Sequence, residues 1–272
     1  EKDTPKGVVT EKVHLTYKQA WDAYNAAQKA EVKLFDELLK DLVKAVPEPE
    51  QTTGRPRLPL QENLFCAIQK VYSQLSSRRA HSLFRSATEK GQISRAPHFN
   101  STSELFNKPE TTEVLHKLVM LSALPVAGIE TDFAVDSTGF RTTTFNAYCG
   151  VKHGEKKQHR WVKAHLCAGV KTNIVAAIAI TDEHGNDSPQ FGPLVRKTAE
   201  GFTIGEVSAD MAYSSRKNLE IVGDVGGTAY IPYRKNATGK AGGSPLWKKM
   251  YHYFQLNRDE FMDHYHKRSN IE

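Results

Sequence analysis

The sequence predicts a mixed fold, an all-helical N-terminal region followed by an α+β unit with α/β character at its far edge. Two observations carry this. Up to about residue 130 the apolar residues recur at spacings of three and four, whereas past Thr131 they alternate or gather into short runs. After that switch three strand-like segments follow one another, and then helix and strand alternate.

Residues 15–46 carry Trp21, Tyr24, Leu34, Phe35, Leu38, Leu39, Leu42 and Val43 at helical spacing between polar residues. They predict one long helix, broken at most once, suited to packing or oligomerisation more than to DNA contact. Residues 47–59 hold Pro47, Pro49, Pro56 and Pro59 with few apolar side chains and read as a basic linker. Inside it, Gly54-Arg55-Pro56-Arg57 is a short extended basic element, suited to a narrow A·T-rich minor groove and equally to solvent.

Between 60 and 130 the pattern is again helical. Leu64, Phe65, Ile68, Val71, Tyr72 and Leu75 form an apolar stripe, after which Arg78, Arg79, His81, Arg85, Lys90 and Arg95 accumulate around serines. Several short helices are implied. The basic residues suit contacts to a duplex backbone, and read equally well as the solvated face of a structural helical unit.

The alternating part predicts strands at 131–137, 160–170 and 173–181, a helix at 189–200, a strand at 203–209, a helix at 214–223, a strand at 228–233 and a final helix near 246–272. That is the element order of a ribonuclease-H-like domain, antiparallel in its first hairpins and parallel at its far edge, with Asp136 on the central first strand. The expected division is therefore 1–46, 47–59, 60–130 and 131–272, the last helix being incomplete.

The 272 residues carry a formal charge of +6 and a basic pI, which favours a polyanionic partner. No apolar run approaches the roughly 20 residues of a membrane span. Glu1 opens a charged segment with no initiator methionine and no secretory signal. Cys66, Cys149 and Cys167 are odd in number, widely spaced and without a Cys-x-x-Cys pair, which fits a reducing cytoplasm and supports neither a zinc ribbon nor a disulfide framework.

The chemistry gathers on acids. Tyr265, Arg268 and Glu272 fall on one helical face, where a carboxylate can hold a cation while an arginine grips a phosphate. Asp136 in TDFAVDSTGF and Asp210 in IGEVSAD each end an apolar, strand-like run. Asp132, on the same strand face as Asp136, is its best substitute. Asp210 is readable as a helix cap, although Ser214 or Ser215 is the more natural one.

With these acids in line, the chain resembles the DDE-class transposases of bacterial and archaeal insertion sequences, whose third acid lies in a Tyr-x-x-Arg-x-x-x-Glu signature. The resemblance runs from about Gly54 to the end, through AVDSTGF, HRWVKAHLCAGVKTNIVAA, VSADMAYSSRKNLE, AYIPYRKN and YHKRSNIE. It implies the same ribonuclease-H-like fold. It further implies Asp136, Asp210 and Glu272 as the catalytic, metal-binding triad, with two Mg²⁺ or Mn²⁺ ions as cofactors.

The DNA contacts expected are Tyr265, Lys267 and Arg268 from the last helix, Arg55 and Arg57 from the linker, and Lys152, Lys156, Lys157 and Arg160 from a basic loop between the first two strands. Trp161 beside that loop reads as a core residue before a base-stacking one. The implied function is a transposase that binds its element's terminal inverted repeats and performs metal-dependent cleavage and strand transfer. Its implied partners are double-stranded DNA, at transposon ends and target, and a second copy in a synaptic homodimer, at the nucleoid of a prokaryotic cytoplasm. The alternative is a catalytically impaired or domesticated remnant that binds DNA. Two positions depart from the family pattern: Met211 stands where a basic residue is frequent, and the chain ends at Glu272 where the helix commonly runs on to a Lys or Arg.

Overall fold

The structure, a computed structural model, describes residues 20–54, 56–142 and 161–270. The first helical stretch is two helices, α1 (Trp21–Lys29) and α2 (Glu31–Val43), broken at Ala30. α1 buries nothing, so Trp21 and Tyr24 lie exposed. α2 turns Leu39 and Val43 inward together with Asp36, whose Oδ1 accepts from Gln69 Nε2 at 3.1 Å.

Four helices follow: α3 (Leu60–Ser73), α4 (Ser77–Glu89), α5 (Phe99–Phe106) and α6 (Pro109–Ala123). Leu39, Val43, Leu64, Phe65, Ala80, Phe84, Leu105 and Leu118 close one apolar cluster among them. Two residues of the expected stripe fall outside it. Val71 is exposed, and Tyr72 instead stacks on Phe35 with ring centroids 3.9 Å apart.

The segment 47–59 is pinned to the helices at its ends. The Glu48 carboxylate accepts from Leu60 N at 2.7 Å and Gln61 N at 2.8 Å, placing a negative charge on the free amides that open α3. Gln61 Nε2 donates to Val46 O at 2.7 Å, and Val46 is itself buried.

Past residue 131 the chain builds a five-stranded mixed sheet from β1 (Asp132–Arg141), β2 (Trp161–Gly169), β3 (Val175–Asp182), β4 (Glu206–Ala209) and β5 (Thr228–Tyr230), in the order β3-β2-β1-β4-β5. β1 pairs antiparallel with β2, and β2 with β3, whereas β4 pairs parallel with both β1 and β5. This topology is compatible with a ribonuclease-H-like fold. β1 lies at its centre, which explains the uninterrupted buried run Phe133, Ala134 and Val135.

Helices α7 (Asp187–Ala199) and α8 (Arg216–Asp224) supply Phe191, Leu194, Val195, Leu219 and Val222 to a second apolar cluster with Phe133, Val135, Cys167 and Val207. At the β2–β3 turn the fully buried Glu130 accepts from Lys171 N, Thr172 N and Thr172 Oγ1. Gly169 makes room for it, since a Cβ there would stand 2.5 Å from Glu130 Cγ.

The final helix predicted over 246–272 is instead two, α9 (Pro245–Leu256) and α10 (Arg258–His266), followed by a 3₁₀ turn at Lys267–Asn270. Asn257, at φ −123° and ψ 53°, breaks it. The break lets α10 fold back so that Phe261 packs edge-on against Phe254, 5.0 Å away, and against Tyr230, 5.3 Å away. Aromatic burial of this kind outweighs the backbone hydrogen bonds lost at one helix break.

Cys66 and Cys167 are buried and free, and burial pushes both thiols up to about 12, so neither is a nucleophile at neutral pH. Cys149 lies outside the described residues. Among the described residues, no helix is long and apolar enough to cross a membrane.

Candidate active site

β1 and β4 run in parallel with Asp132 beside Glu206 and Val135 beside Ala209. One further step in that register sets Asp136 beside Asp210, on strands about 4.8 Å apart. Asp210 is still extended, at φ −71° and ψ 172°. Since side chains alternate along a strand, Asp132, Ala134 and Asp136 share one face of β1, and Glu206, Ser208 and Asp210 share the same face of β4. The two strands therefore carry two pairs of acids, one where both strands begin and one midway along β1 and just past the end of β4.

The Asp136–Asp210 pair is oriented by its own backbone. Asp136 Oδ1 accepts from Ser137 N at 2.9 Å, and Asp210 Oδ1 accepts from Ala212 N at 2.8 Å, capping the short 3₁₀ turn Met211–Tyr213. Asp210 thus caps that turn and not the following helix, and α8 is capped by Ser215, which accepts from Asn218 N. Both aspartates are half-buried, and among the described residues neither has an ion-pair partner. Two carboxylates converging from adjacent strands are hard oxygen donors and fit Mg²⁺ or Mn²⁺, which retain several waters. They are an incomplete set, because among the described residues no group of three His, Cys, Asp or Glu is placed to hold a metal ion.

The start pair is different. Lys267 Nζ sits 2.8 Å from Asp132 Oδ2 and 2.8 Å from Glu206 Oε2, and His264 Nδ1 lies 2.9 Å from the Glu206 carboxylate. Thr131 Oγ1 donates to Asp132 Oδ1 at 3.1 Å, and the His264 ring stacks on Tyr230 at 4.3 Å. Burial works to raise the Asp132 pKa, yet the hydrogen bond and charge of Lys267 outweigh it and hold the carboxyl below its ordinary range. For Lys267 burial works downward and the two carboxylates win, holding the ammonium above its ordinary value.

Of the residues singled out in the sequence, the fold brings Asp136 and Asp210 together. Tyr265 packs half-buried against the apolar cluster, and the Arg268 guanidinium lies 5.6 Å from the Tyr265 ring centroid, as a spacing of three residues allows. Lys267, expected on the DNA backbone, pairs with two carboxylates while its side chain stays 36% exposed. Arg57 is exposed, with its amide donating to Gln51 Oε1 at 3.0 Å. Glu272, Arg55, Lys152, Lys156, Lys157 and Arg160 lie outside the described residues.

Trp161, expected in the core, is 43% exposed, because β1 and β2 extend beyond the packed part of the sheet and pair it with Arg141. The Asp132–Glu206–His264–Lys267 cluster was not anticipated. Its trace in the sequence is one spacing used twice, an acid four residues before Asp136 and another four before Asp210.

Two other buried titratable groups lie close to β1. His165 pairs in register with Ser137, so it faces away from Asp136, and its Nε2 is 2.9 Å from Thr181 Oγ1. Burial lowers its pKa against the pull of Asp187. Tyr213 is buried beyond the end of β4, and burial above all, then the charge of Asp187, raises its pKa so that the phenol keeps its proton at neutral pH. Neither suits a general base for the aspartate pair.

Residues 128–272, more than half of the chain, match the family model described as Transposase DDE domain.

Proposed function

The chain belongs to the transposase DDE domain family, and from that premise we propose that it binds the terminal inverted repeats of its element, cleaves phosphodiester bonds there and joins the freed 3′ end to target DNA. The observation supporting this most is the parallel β1–β4 register, which pairs Val135 with Ala209, the residues immediately before Asp136 and Asp210. Asp136, Asp210 and, from the signature that ends the chain, Glu272 would hold divalent cations. Such ions, when bound, relieve charge on the attacking and leaving oxygens of an in-line displacement.

The chain's own residues provide placement. The amides of Ser137 and Ala212 each hold one oxygen of an aspartate, and the second oxygen of each would be the one to coordinate. Arg268, steadied by the Tyr265 ring, is the cation nearest in sequence to Glu272 and would grip a phosphate of the bound strand. Arg57, with Arg55 and the basic residues at 152–160, would hold the flanking duplex through its backbone. Action as a synaptic homodimer follows the family pattern and belongs to the same proposal.

Asp136→Asn, Asp210→Asn and Glu272→Gln test the triad one residue at a time. Each should lower Mg²⁺-dependent nicking of a terminal-repeat duplex by more than about a hundredfold, since even the partners behind a metal ligand are worth 10- to 100-fold. Repeat binding and melting temperature should hold. Nicking near the wild-type rate removes that residue from the site, and repeat binding without any nicking by the wild-type chain would favour the DNA-binding remnant.

A further inference from the structure

The polar cluster at the start of β1 and β4 lies outside the aspartate pair, yet it is built on the same two strands. Asp132 and Glu206 each stand four residues, or about 13 Å of strand, before Asp136 and Asp210. They face the same side and are bridged by one lysine 135 residues away from Asp132 along the chain. Asp132 and Glu206 are largely shielded, with side chains 16% and 23% exposed, and Lys267 is 36% exposed. Like charges on neighbouring strands repel unless a cation lies between them. Lys267 is that cation.

Its position in the chain gives the bridge a consequence. Lys267 opens the 3₁₀ turn Lys267–Asn270, which packs against both β1 and β4, and Glu272 lies five residues further on. A 3₁₀ turn has poorer hydrogen-bond geometry than an α-helix and holds its direction through outside contacts. Two ion pairs to two strands supply them, with His264 on Glu206 as a further tie one turn earlier.

Resting on the function proposed above, we infer that Lys267 is a positioning residue of the cleavage reaction. By bridging Asp132 and Glu206 it sets the turn that leads into Glu272 against the strand that carries Asp136 and the strand that leads into Asp210. It acts through the protein and not on the DNA backbone, although it lies beside Arg268 in the signature.

The test compares the full chain with Lys267→Met, Lys267→Glu and the charge exchange Glu206→Lys with Lys267→Glu. At saturating terminal-repeat duplex in Mg²⁺, Lys267→Met should nick about 30- to 100-fold more slowly. Its affinity for the duplex and the salt dependence of that affinity should match wild type. Amides of residues 266–270 should exchange about tenfold faster in Lys267→Met, reporting local opening. The exchange variant, which restores opposite charges across the contact, should regain at least about tenfold of the nicking lost in Lys267→Glu alone.

A salt slope lowered by about one with an unchanged saturated rate would make Lys267 a phosphate contact and overturn the inference. Wild-type nicking and amide exchange in Lys267→Met would overturn it as well, leaving the proposed function intact. Should Lys267→Met fail to fold, the exchange variant judged against Lys267→Glu decides, and absence of rescue overturns the inference. If the wild-type chain binds the repeats and nicks none of them, the proposed function has failed, and the positioning role fails with it.

Discussion

The two acid pairs on β1 and β4 have the same residue types, strands and face, and opposite electrostatic solutions. Asp132 and Glu206 are closed by Lys267 and His264. Asp136 and Asp210, four residues on, have among the described residues only backbone amides as partners. The difference teaches how a fold separates structure from chemistry on one sheet. A pair neutralised by a tethered lysine contributes to stability, whereas a pair left without a tethered cation is costly to the fold and available to a diffusing one.

The comparison breaks most visibly in stability. Asp132→Ala or Glu206→Ala strands the ammonium of Lys267 and should cost about 1–2 kcal/mol, less than the 3–5 of a fully buried pair because Lys267 is partly solvated. Asp136→Asn with Asp210→Asn removes like-charge repulsion while keeping both amide acceptors, so stability should hold or rise. Thermal or urea unfolding of the three variants measures this. Equal losses at both pairs would dissolve the distinction.

A smaller effect sharpens it. Free Mg²⁺ a few-fold above its dissociation constant should stabilise the wild-type chain by about 1 kcal/mol, as any ligand of the folded state does. Asp136→Asn and Asp210→Asn should abolish that gain, and Asp132→Asn should retain it. A melting temperature that rises with Mg²⁺ equally in every variant would place the ion elsewhere.

The smallest effect is in pH. The folded pKa of Asp132 lies below its ordinary 3.8, so its contribution is present above that value and is lost as pH falls through the folded pKa. The folded pKa of Lys267 lies above its ordinary 10.5, so its contribution is present below that value and is lost as pH rises through the folded pKa. The stability difference between wild type and Asp132→Asn should therefore be level from about pH 5 to pH 9 and narrow at both ends. A difference that instead grew toward low pH would contradict the bridge.

The Asp136–Asp210 part of the candidate site was legible because its elements are local. The apolar runs before Asp136 and Asp210 mark strands by their own composition, and their ends mark where a polar side chain can emerge. Between Asp132 and Asp136 the sequence offered a preference without a physical reason, since both lie on one face of one strand. The pairing of Lys267 with two carboxylates was hidden for a similar cause. Beside His266 and Arg268 the lysine belongs to a basic cluster, and composition favours solvent or DNA for such a residue. The break at Asn257 was hidden because residues 246–272 keep enough helical spacing to mask one non-helical residue, and it is the packing of Phe261 on Phe254 and Tyr230 that favours the bend.

By itself the sequence determined where helices give way to strands, which acids follow the apolar runs, and a family resemblance that the match over 128–272 bears out; that β1 runs on past Asp136 to Arg141 it did not show. Those are properties of neighbours along the chain, where periods of two and near four set which way side chains point. Tertiary structure alone decided that Lys267 belongs to Asp132 and Glu206, and which of the two acids on β1 stays without a tethered cation. Those depend on the register between β1 and β4 and on the fold-back of α10, which bring Lys267 to residues 61 and 135 positions away. Partner choice at that range follows from the burial and charge balance of the whole packed sheet, and no local pattern encodes it.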